Sequence, residues 1–105
     1  MQHGNWVAKA RASAALVELE SLLEDIDRVS ERDDNGVPCT PEPVIPLIKA
    51  ALRAAAAAEY RLDFDGERAA AANVRAAMVH IARNDTTEAR RYIYKAWDAT
   101  GWRSA

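Results

Sequence analysis

The chain has 105 residues and a formal charge of -2, from 14 Lys and Arg against 16 Asp and Glu. That length holds one domain, and the near balance of charge excludes a dedicated polycation for nucleic acid and an acidic disordered tail. Half the residues are apolar but 23 are Ala, so the core must come from close approach of helices, and 4 Gly with 4 Pro are too few for the turns of a sandwich or barrel.

The first element is a helix over 6–31, with Asn5 placed to cap its first turn. Leu16, Leu19, Leu23 and Ile26 follow the 3, 4, 3 spacing of one apolar stripe, with Ala12 a turn earlier. Glu18, Glu24, Asp25 and Arg28 fall off that stripe, and Glu24 with Arg28 has the favourable i,i+4 order. Residues 32–43 read as a Pro-rich loop or hinge: Asn35-Gly36 tolerates positive φ, and Pro38, Pro41 and Pro43 forbid helix propagation. The lone cysteine, Cys39, falls here, with no second Cys for a disulfide and no ligand neighbours for zinc.

A second helix spans 44–61, since Pro43 and Pro46 are tolerated in a first turn. Val44, Ile48, Ala51, Ala55, Ala58 and Leu62 form its seam. Leu62-Asp63-Phe64-Asp65-Gly66 reads as a break, with Asp65 capping a third helix over 66–83 whose stripe is Ala70, Val74, Ala77 and Ile81. Asn84-Asp85 is a short connection. Asp85-Thr86-Thr87-Glu88 has capping-box spacing and opens a fourth helix over 86–99, stopped by Gly101. The architecture predicted is an all-α antiparallel four-helix bundle in a single domain. Helix one, about 39 Å long, outruns partners of roughly 14–18 residues. An apolar stripe extending beyond its bundle needs cover, so a homodimer through helix one is expected.

The inventory for catalysis is thin. His3, His80 and Cys39 are the only imidazoles and thiol, no Glu-x-x-His pair occurs, and phosphate-loop and nucleophile-elbow motifs are missing. No metal or cofactor is expected. Arg75-Ala76-Ala77-Met78-Val79-His80 has the spacing Arg-x4-His and resembles the core motif of HEPN ribonucleases, which are compact helical bundles and often dimers. The resemblance covers two residues, with Ala76 where that family commonly has a polar residue. It implies that His80 acts as general acid or base on RNA while Arg75 stabilises phosphate charge. A step of five on a helix turns a side chain by about 140°, so within one regular helix the two diverge. The alternative is a surface Arg with a boundary His hydrogen-bonded to Asn73.

Charge is segregated along the chain: residues 1–42 carry 4 basic and 9 acidic side chains, residues 43–105 carry 10 and 7. Arg83, Arg90, Arg91 and Lys95 cluster on the last hairpin with Tyr94 and Trp97 interleaved. Such a set suits a protein interface or unpaired bases, and as a solvated face it needs no partner. The acidic face of helix one, including Glu18, Glu24 and Asp25, suits a basic partner or the basic half of this same protein. Trp102 is placed to fold back on the bundle, and Trp6 to cap the other end of helix one.

The start of the chain lacks the pattern of a signal peptide, and no apolar run reaches membrane-spanning length, so a cytoplasmic protein is expected. The Ala and Arg bias fits a bacterial or phage source. The function expected is a small non-enzymatic interaction or regulatory protein that binds or inhibits a larger protein. A HEPN-like ribonuclease is the alternative, and a weak nucleic-acid-binding module the third.

Overall fold

The structure, a computed structural model, describes residues 3–30, 35 and 42–101. It is all-α among these residues: α1 His3–Val29, α2 Val44–Phe64, α3 Arg68–Ala82 and α4 Thr86–Thr100. Each helix packs on its neighbours in sequence, and α1 also meets α4, while α1 with α3 and α2 with α4 lie across the bundle from one another. Four helices thus close a ring around one core.

The predicted stripes supply that core. Ala12, Leu16, Leu19, Leu23 and Ile26 of α1 are fully buried, as are Ala51, Ala55, Ala58 and Leu62 of α2. Ala70, Val74, Ala77 and Ile81 of α3 join them, with Ala89, Ile93 and Ala96 of α4. Large side chains come chiefly from α1 and small ones from α2 and α3, which lets the latter pair approach closely. The α1 stripe is covered within one chain from Ala12 to Ile26, which removes the reason for expecting helix one to need a second copy.

Local chemistry moves several boundaries. Helix α1 begins at His3, so Asn5 lies inside it rather than capping it. Arg28 pairs with Asp25 rather than Glu24. At the start of α2, Pro43 occupies the cap position and Pro46 the first turn, where neither removes an intrahelical hydrogen bond.

The predicted break at Leu62 to Asp65 is helical through Phe64, making α2 21 residues long. Asp65 ends α2 instead of starting α3, whose cap position is Glu67 with no side-chain bond. Gly66 is the reason: at φ +84 it takes the left-handed conformation that reverses the chain. Glu67 N–H then donates back to Leu62 O at 2.8 Å.

Between α3 and α4 the same geometry falls to Asn84, at φ 58, so that Asp85 N–H donates to His80 O at 2.8 Å. The Asp85 carboxylate accepts from Glu88 N–H at 3.2 Å, as the capping box predicts. The reciprocal half is not made, because the Glu88 carboxylate takes Arg91 at 2.9 Å. Gly101, at φ 73, ends α4. Most of the Pro-rich hinge, Cys39, Trp102 and the side chain of Trp6 lie outside the described residues.

Candidate functional site

The stripe one residue beyond the core stripe is turned by about 100°, to the edge where the next helix is met. On α4 that stripe is Arg90, Tyr94 and Trp97, following Ala89, Ile93 and Ala96. On α1 it is Val17, Glu20, Glu24 and Asp27, following Leu16, Leu19, Leu23 and Ile26. The two edges face each other.

Their ties are polar. Asp27 accepts a hydrogen bond from the buried Thr86 hydroxyl, and its other carboxylate oxygen lies 2.7 Å from Arg90 Nη1. Two turns up α1, Glu20 Oε1 accepts from the Trp97 indole N–H at 2.9 Å. At the base, Asn84 Nδ2 donates to Ser30 Oγ at 3.2 Å. These contacts run α1 and α4 antiparallel.

Between the ties the helices part into a cleft of about 250 Å³, lined by Val17, Glu20, Ser21 and Glu24 of α1 and by Arg90 and Tyr94 of α4. It continues along Asp27 and Arg28. Val17 is 57% and Tyr94 42% exposed, so apolar surface lies open between carboxylates on one wall and a guanidinium on the other. Such a surface can seat a side chain of a partner and orient it by charge.

Of the acidic and basic candidates read from sequence, only part comes together in this cleft. Glu24, Arg90 and Tyr94 line it, and Trp97 closes one end on Glu20. The remaining candidates lie elsewhere: Glu18 and Arg83 are exposed, Asp25 is paired with Arg28, and Arg91 with Glu88. Lys95 Nζ sits 4.9 Å over the Tyr92 ring, which stacks at 5.5 Å on His80. Val17 and Ser21 were not singled out from sequence. The available signal was an apolar residue off the core stripe, one helical step before Ser21.

Arg75 and His80 are not brought together. Both Nε and Nη2 of Arg75 bind Glu59 Oε2, at 3.2 and 3.1 Å. His80 faces α4 instead, its Nδ1 3.6 Å from Asp85 Oδ2 and without a hydrogen bond. Asn73 donates its amide to Ala69 O rather than serving His80. Among the described residues no three His, Cys, Asp or Glu side chains converge as metal ligands, and no helix is long and apolar enough to cross a membrane. Comparison with known protein families, curated proteins and solved structures finds no match to this chain.

Proposed function

We propose that the chain is a small non-enzymatic helical protein of the bacterial or phage cytoplasm that binds a larger protein and regulates or inhibits it, with the α1–α4 cleft as its docking surface. One observation carries this reading: exposed Val17 and Tyr94 share a cleft with Glu20, Glu24 and Arg90. Arg and Tyr are favoured anchors at protein interfaces, and a guanidinium already held by Asp27 loses little freedom when a partner arrives.

The nucleic-acid reading has weaker support, because Arg75, Arg90 and Arg91 each already face a carboxylate. The ribonuclease reading would need Arg75 and His80 at one phosphate, and their contacts point to different helices.

The test is affinity capture from the source cell, with and without nuclease treatment, using the wild type and the double substitution Val17→Lys, Tyr94→Asp. The expected result is a protein partner retained after nuclease treatment and weakened at least about tenfold by the double substitution. Capture abolished by nuclease would contradict the reading. So would cleavage of mixed RNA by the wild type that His80→Ala removes.

A further inference from the structure

The outer face of α2 is unusual for a surface without a partner. Phe64 and Tyr60 are 72% and 65% exposed, more than any other large apolar side chain among the described residues. They stand one turn apart with ring centroids separated by 6.3 Å. Ala56 and Ala57 precede them, and earlier on the same face come Lys49 and Arg53, all exposed. Among the described residues neither cation meets a carboxylate and the exposed Asp63 meets no cation.

The spacing makes this face complementary to itself. Tyr60 and Arg53 lie equally far on either side of the midpoint between Ala56 and Ala57, at about 5 Å along the axis, and Phe64 and Lys49 do the same at about 11 Å. We propose that a second copy of the chain docks here, its α2 antiparallel to the first across a two-fold axis at Ala56 and Ala57. Each Tyr60 then meets the partner's Arg53, and each Phe64 the partner's Lys49.

Three features select this occupant. Cations over aromatic faces attract, and a two-fold axis makes every such contact twice. Asp63 comes beside the same partner lysine, which pairs the one exposed carboxylate of the outer face with an unmatched cation. The alanines at the axis let the backbones approach closely enough for the long side chains to reach across.

Sedimentation equilibrium up to about 100 µM tests the proposal, a range suited to an interface at the small end of specific contacts. The wild type is expected to dimerise. Ala56→Glu, which sets two carboxylates against each other at the axis, and the double substitution Tyr60→Gln, Phe64→Gln are each expected to give monomers with unchanged helical circular dichroism. Arg53→Gln is expected to weaken association about tenfold by removing two cation–ring contacts, and Arg53→Lys to restore most of it. The cleft substitution Val17→Lys leaves self-association unchanged, so loss of partner binding and loss of the dimer read separately. A wild type that stays monomeric, or a dimer that survives Ala56→Glu, overturns the proposal.

Discussion

Asp27 joins α1 to α4 through two partners at once, the Thr86 hydroxyl and the Arg90 guanidinium. Truncating it strands a buried hydroxyl and leaves a half-buried cation unmatched, and stranded groups cost more than the bond itself contributed. Asp27→Ala is therefore expected to destabilise the protein by about 1–3 kcal/mol in urea unfolding. Asp25→Ala removes only an exposed pair with Arg28 and is expected to cost less than about 1 kcal/mol. Equal effects of the two substitutions would contradict this assignment. Glu20, Asp27 and Thr86 could be read from sequence as polar residues on helices. Their partnership could not, because Asp27 and Thr86 are 59 positions apart and no local rule sets the register of α1 against α4.

Among the elements, α1 was the most legible, since four large residues at 3, 4, 3 spacing leave one face to bury. The Ala seams of α2 and α3 were legible for the same reason, and their tight approach follows from side-chain size. Ala58, fully buried on α2, has no room for a larger side chain. Ala58→Leu is expected to cost about 1–3 kcal/mol, whereas Ala72→Leu, on the exposed face of α3, should stay within about 0.5 kcal/mol; thermal unfolding compares them. The end of α2 was misread because Asp63, Phe64, Asp65 and Gly66 together resemble a breaker. Only Gly66 adopts positive φ there, and Asp and Phe are tolerated in a last helical turn. With α2 running to Phe64, α1 at 27 residues outruns its 21-residue neighbour by only about 9 Å.

In the whole molecule the ring of helices is closed least extensively between α1 and α4, where polar ties flank the shared core. Here carboxylates of α1 face Arg90 of α4 across a cleft. Helix α2 lies across the bundle from α4. The dimer proposed through α2 would therefore leave both clefts open and turned away from each other. Titrating the captured partner into isotope-labelled protein, and following backbone amide shifts by NMR, tests the docking surface most directly. Docking in the cleft predicts the largest shifts over residues 17–28 and 90–97, with Lys49 to Phe64 unmoved. Shifts concentrated on α2 or α3, with the cleft unmoved, would contradict it.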